Sequence, residues 1–195
     1  VRESKEYMPE IFHMDDVYLY GFWNCERYYE DIIPLLQEKI QFPISSNSRN
    51  QECMEQMQNE NAVSIHIRRT DYLTVADGNR YMGICTEEYY RGAMAYIEAR
   101  VSNPVYYIFS DDVEYARQHY HQDNMHVVDW NGEADGIYDM QLMSRCKYNI
   151  CANSTFSMWA ARLNQNREKI MIRPLHHDNY ETTTVAEVKQ NWKNW

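Results

Sequence analysis

No Walker lysine loop and no GxGxxG fingerprint occurs in these 195 residues, which excludes a P-loop and a dinucleotide-binding turn. No cysteine pair has CxxC spacing. Cys25, Cys53, Cys85, Cys146 and Cys151 are odd in number and scattered, as suits free thiols in a reducing compartment. Neither they nor His119, His121, His176 and His177 form a zinc-finger pattern. No apolar run approaches the roughly 20 residues that a membrane-spanning helix needs. Positive charge is short as well. Lys and Arg total 19 against 29 Asp and Glu, a formal net charge of −10. A broad basic face for nucleic acid or an anionic membrane is therefore not expected, although a local basic spot can still hold a small anion. There are no internal repeats and no low-complexity tract. The chain begins with Val1, so the lack of a leader carries no weight.

What is present starts with VSIHIRRTDY, residues 63–72. Val63, Ile65 and Ile67 alternate with Ser64, His66 and Arg68, the period of a strand with two distinct faces. Arg68 and Arg69 stand where that strand should end, and Asp71 follows. Ligands of open α/β sheets bind just outside the carboxyl ends of strands. Paired guanidinium groups there suit a phosphate. The plainer reading is a surface salt-bridge cluster. His66 and Asp71 weigh against it, because polar groups crowded at a strand end are costly without partners or a ligand.

From Val63 onward, strands and helices alternate. Strands are expected at 63–67, 105–109, 126–130, 148–152 and 169–173. Helices are expected from Thr86 to about Arg100, from Asp111 to about His121, over 136–146 and over 154–163. This rhythm predicts an α/β fold, a Rossmann-like doubly wound parallel sheet with helices on both faces. Residues 1–60 do not share it. VYLYGFW (17–23) reads as an aromatic strand. Asn24 can cap a helix to about Ile40, interrupted at Pro34, and a second helix is expected over 50–60. The division expected is 1–60, a partial N-terminal piece with a helical linker, and 61–195, the Rossmann-like domain.

Three further strand ends carry polar groups. Asn153, Ser154 and Thr155 open a helix, where they can cap it or offer hydroxyls and amides to a phosphate. In FSDD (109–112), Asp111 and Glu114 have capping-box spacing; a metal clamp is disfavoured because the two acids are adjacent and no further ligand stands nearby. Asp139, near the start of its helix, can compensate the helix dipole. Its carboxylate can equally accept the N1 and N2 protons of guanine. Trp159 and the tryptophans from Trp192 to Trp195 are expected to pack rather than form a sugar platform.

HIRRTDY, FSDD, the Asp139 helix and NSTFSMWAA occur in that order, each at a strand-to-helix junction. Together they resemble the glycosyltransferase family 11 α-1,2-fucosyltransferases, particularly the bacterial ones. YLYGFWNCERYYEDIIPLL is similar to that family's linker region, so the resemblance spans roughly residues 17 to 175. HxRR motifs also occur in α-1,6- and protein O-fucosyltransferases, so they indicate the nucleotide more directly than the acceptor. The family's GNQMFQYA-type motif is not in this sequence. The chain is thus expected to be the donor-binding half of a GT-B glycosyltransferase, and alone to bind nucleotide poorly or not turn over.

The resemblance implies metal-independent, inverting transfer of L-fucose from GDP-β-L-fucose to the 2-hydroxyl of a galactoside in a glycan. It implies no cofactor and no nucleic-acid partner. The expected location is cytoplasmic, at most peripheral to the inner face of a membrane. Arg68 would contact the β-phosphate, with Asn153, Ser154 and Thr155 around the phosphates. His66 would shape the pocket, Asp139 would read guanine and Arg69 would brace the loop through Asp71 or Asp112. Asp71 and Asp77 are both candidates for the base, and a dissociative reaction would need little help from either. A GDP-binding module without turnover and a metal-dependent phosphatase built on FSDD are the rival readings.

Overall fold

A computed structural model describes residues 1–4, 6–74, 85–174 and 186–188. Its centre is a six-stranded sheet in the order β3-β2-β1-β4-β5-β6. The strands are β1 (Asn61–Ile67), β2 (Pro104–Ser110), β3 (Met125–Val127), β4 (Tyr148–Ile150), β5 (Met171–Pro174) and β6 (Ala186–Val188). The first five are parallel, in the order of a Rossmann half; β6 adds an antiparallel edge that the sequence rhythm did not suggest. Chain order reverses between β1 and β4. Ligands of open α/β sheets bind beyond the carboxyl ends of the strands at such a switch point.

Among the described residues, the α-helices are α1 (Ile33–Lys39), α2 (Ser48–Asn59), α3 (Thr70–Thr74), α4 (Glu87–Glu98), α5 (Val113–His119), α6 (Gly136–Arg145) and α7 (Thr155–Leu163). The alternation read in β1 holds. Val63, Ile65 and Ile67 enter one core with Tyr89, Ala93 and Ile97 of α4 and Ala116 of α5. Period two also splits β2: Tyr106 and Ile108 join that core, whereas Tyr107 and Phe109 pack on the other face with Leu142 and Met143 of α6 and Ala160 of α7. Cys53 and Met57 of α2 belong to this second core. The helix just before residue 60 therefore packs on the sheet.

The expected strand over 17–23 does not form. Its pairing is confined to one bridge, Arg2 with Tyr20. Trp23 sits at φ +51°, outside strand dihedrals. The N–H groups of Phe22 and Trp23 donate to the Glu3 carboxylate at 2.6 and 2.9 Å instead of to a ladder. Tyr18 and Phe22 are left 80% and 89% exposed. Nor does Asn24 cap a helix. Short 3₁₀ turns occupy Glu26–Tyr28 and Glu30–Ile32, and α1 starts only at Ile33, with Pro34 in its first turn, where a missing N–H costs nothing. This segment docks on the sheet domain through Tyr29, which stacks on Trp159 of α7 at 5.2 Å.

All five cysteines are free thiols. No helix among the described residues is long and apolar enough to cross a membrane.

Candidate functional site at the sheet switch point

His66, the last residue but one of β1, points to the α7 face. It is 5% exposed, and its ring lies 5.5 Å from that of Phe156 in the first turn of α7. Its Nδ1 is buried without a hydrogen-bond partner. Burial pushes its pKa down to about 4; Asp111 opposes the shift and Arg68 reinforces it. The ring is thus neutral at physiological pH. The Phe156 ring also reaches the start of α6, 3.9 Å from where a side chain on Gly136 would begin. Through one aromatic ring the ends of β1, α6 and α7 come together.

Arg68 emerges half-buried at the strand end. Its Nη2 donates to Asp71 Oδ2 at 2.8 Å, and its Nη1 lies 3.3 Å from Asp111 Oδ2. Its guanidinium also lies 5.7 Å from the Tyr72 ring. Burial opposes the charge, but the bond to Asp71 and the field of Asp111 outweigh it, so its pKa is raised. Arg69 turns the other way. Its Nε donates to Asp112 Oδ2 at 3.1 Å and its guanidinium covers the Tyr115 ring at 3.5 Å.

The two aspartates of FSDD divide their work differently from the capping box that the spacing suggests. Asp112, not Asp111, caps α5, accepting from the Tyr115 N–H at 3.1 Å. Asp111 reaches back to the neighbouring loop. It accepts from the N–H of Arg69 (2.9 Å), the N–H of Thr70 (3.1 Å) and the Thr70 hydroxyl (2.7 Å). Spacing alone could not find this, because its partners come 41 and 42 residues earlier. Among the described residues no three His, Cys, Asp or Glu side chains cluster as a metal site.

On the β4 side, Ser154 caps α7, its Oγ accepting from the Phe156 N–H at 3.3 Å. Thr155 is exposed at the first position of that helix. Asn153 is fully buried; its carbonyl accepts from the Tyr72 hydroxyl at 3.3 Å and its Oδ1 from the Cys85 thiol at 3.5 Å. Tyr72 thereby ties the loop after β1 to the turn before α7, next to Arg68. Tyr72 and Phe156 were not singled out from sequence, where both look like ordinary core aromatics.

Asp139 lies one turn into α6. Its Oδ1 accepts from Asn131 Nδ2 at 2.7 Å. Burial raises its pKa to about 6; the Asn131 bond lowers it, and Asp135 raises it further. Asn131 was also missed, since a WNG turn signals only a loop. Asp77, His176, His177 and the segment Trp192–Trp195 lie outside the described residues. A separate crevice of about 380 Å³ among Gln37, Phe42, Ser144, Arg145 and Leu163 lies by the carboxyl ends of α6 and α7, away from the switch point.

The end of β1, the turn after β4 and the start of α6 thus carry an arginine, a serine-capped helix start and a buried carboxylate. The family model for glycosyl transferase family 11 matches residues 8–195. An alpha-1,2-colitosyltransferase of Escherichia coli is 35% identical over 179 residues, which is 88% of this chain and 60% of that protein. The O-antigen biosynthesis glycosyltransferase WbnK of Escherichia coli is 43% identical over 119 residues, 60% of this chain and 39% of its own length. Galactoside alpha-(1,2)-fucosyltransferase 1 of Ateles belzebuth is 34% identical over 104 residues, 52% of this chain and 28% of its own. The chain spans 60% or less of the length of each.

Proposed function

Because this chain belongs to glycosyl transferase family 11, we propose that it forms the donor-binding half of an α-1,2-fucosyltransferase. The donor is GDP-β-L-fucose, the acceptor is the 2-hydroxyl of a galactoside in a glycan, and transfer is inverting and metal-independent. One observation carries this reading. Arg68 at the end of β1 and the Ser154-capped start of α7 flank the same switch point, bridged by Tyr72. The linkage rests on relatives whose names specify alpha-1,2 transfer of colitose or fucose.

Departure of GDP builds negative charge on the β-phosphate while the sugar gains oxocarbenium character. Fixed cations and amides stabilise that charge best when they are already in place. Arg68 supplies the cation. The first amides of α7, with the hydroxyls of Ser154 and Thr155, supply the rest, and Asn153 holds that turn against Tyr72. His66, neutral, packs under the nucleotide. Asp139 accepts the two N–H groups of guanine. Before the donor arrives, Arg68 is engaged by Asp71 and Asp111. A diphosphate competes for the same guanidinium. Asp71, released from it, becomes the base for the acceptor hydroxyl. Arg69, held by Asp112, braces the loop.

The test is to offer a protein that spans the full length of its relatives GDP-β-L-fucose, and in parallel GDP-linked colitose, together with β-galactosides, with and without EDTA. The expected product is α-linked at O2 with inverted anomeric configuration, and EDTA leaves its yield unchanged. GDP binding without transfer or hydrolysis would make the chain a nucleotide-binding module. No binding of GDP would sink the reading, and an absolute metal requirement would replace it with metal-dependent chemistry.

A further inference from the structure

Behind Asp139 stands a run of polar side chains that the donor site does not need for contact. Asn131 and Asn50 form a reciprocal amide pair. Asn50 Nδ2 donates to Asn131 Oδ1 at 2.9 Å, and Asn131 Nδ2 donates to Asn50 Oδ1 at 3.0 Å. Asn50 is fully buried on α2. Its Oδ1 also accepts from Trp130 Nε1 at 2.7 Å, and its Nδ2 donates to Ser45 Oγ at 2.9 Å. The remaining reach of Asn131 Nδ2 goes to Asp139 Oδ1, at 2.7 Å.

The direction of this run is set by one residue. An indole N–H can only donate, so the Asn50 atom facing Trp130 must be oxygen. The Asn50 nitrogen then faces Ser45 and Asn131 Oδ1. Asn131 is left with its nitrogen toward Asp139. Neither amide can flip without setting N–H against N–H or leaving a buried donor unpaired, which is costly. Trp130 is itself pinned, with the Arg49 guanidinium 4.4 Å from its ring centre.

Asp139 needs such a partner. The titratable groups that face it are Asp135, from the turn before α6, and the Cys53 thiol of α2, pushed up to about 12 by burial first and then by Glu60 and Asp139. Neither is a cation. Burial works against the carboxylate, and the Asn131 amide opposes it.

We infer that Asn131, oriented through Asn50 by Trp130, is a positioning residue that aims Asp139 and maintains its charge, and so sets the selectivity for guanine. This rests on the base-reading role of Asp139 proposed above. A protonated carboxyl group can no longer accept both guanine N–H groups, so base recognition should fade as pH falls through the range where Asp139 titrates. Losing the Asn131 bond should move that range upward by about one pH unit, the size of a hydrogen bond to a charged group.

The experiment follows the Asp139 carboxyl carbon by NMR with ¹³C-labelled aspartate, and GDP and UDP affinity by calorimetry, from pH 5 to 8.5. It uses the wild type, Asn131→Ala, Trp130→Phe and Asp139→Asn. Trp130→Phe removes the indole N–H while keeping an aromatic side chain, at the cost of some ring volume, so it serves if Asn131→Ala fails to fold. The expected result is an Asp139 midpoint higher by about one unit in Asn131→Ala and raised by less in Trp130→Phe, with the GDP-over-UDP preference shifting in step. An unchanged midpoint in the folded variants overturns the inference. So does a moved midpoint that leaves the GDP preference where it was, provided Asp139→Asn abolishes that preference. If Asp139→Asn leaves it intact, the base-reading role itself has failed.

Discussion

Asp111, just past the end of β2, holds Arg68, just past the end of the neighbouring β1, with Oδ2 3.3 Å from Nη1. The same carboxylate takes the N–H groups of Arg69 and Thr70. The conformation of the loop after β1 and the aim of its arginine therefore depend on one side chain from another element.

Replacing Asp111 with Ala should cost the protein about 1–3 kcal/mol by leaving those donors to find other partners. It should also slow transfer at least tenfold by letting Arg68 wander. Asp111→Asn, which keeps an acceptor, should fall between. Melting temperatures and steady-state kinetics of both variants check this. Unchanged kcat/KM in a folded Asp111→Ala protein would separate Asp111 from the site.

Arg68→Ala should lower transfer about a hundredfold or more, as for the loss of one preorganised group facing transition-state charge. Arg68→Lys should recover only part, because an ammonium cannot replace a two-pronged guanidinium. The measurement is single-turnover transfer in a protein that spans the full length of its relatives. Near-wild-type rates in the alanine variant would remove the central assignment.

His66 is buried neutral, with its pKa depressed from 6.5 to about 4. Its contribution to stability is complete above pH 6.5 and is lost as pH falls toward 4. The loss is on the order of 3 kcal/mol at most. A His66→Gln variant should show a flatter decline of stability across this interval. Denaturant melts at pH 4, 5, 6 and 7 report it, and parallel declines in both proteins would contradict it.

Asp139 has the opposite sign. Its pKa is raised from 3.8 to about 6, so its stabilising contribution is present below pH 4 and lost as pH rises through 6. Asp139→Asn should be the more stable protein at pH 7.5, by on the order of 1–3 kcal/mol, while binding GDP more weakly and UDP about as before. A variant that gains no stability at pH 7.5 would mean that the carboxylate is better solvated than its burial implies.

Much of this molecule is legible in its sequence because the signals are local. Alternation in residues 63–67 places β1 and its two faces. Thr86 and Ser154 announce the helices that they cap, and the junction motifs come in the order of one family. Period two and capping chemistry act within a few residues, so they survive without a fold. The aromatic run at 17–23 shows the limit. It has the composition of a strand, yet a strand needs a neighbour, and Glu3 takes its amides instead.

The division of labour among charges is not local, and only the tertiary structure decides it. Adjacent Asp111 and Asp112 look interchangeable in sequence, but the end of β2 turns one toward the β1 loop and the other onto α5. Arg68 and Arg69 diverge in the same way, toward Asp71 and Asp111 on one side and Asp112 on the other. Asn50 and Asn131, 81 residues apart, meet because α2 packs on the same sheet face as α6. Hydrogen bonds are short-range and directional, so which acid serves which base is settled only when packed strands and helices bring them within 3 Å.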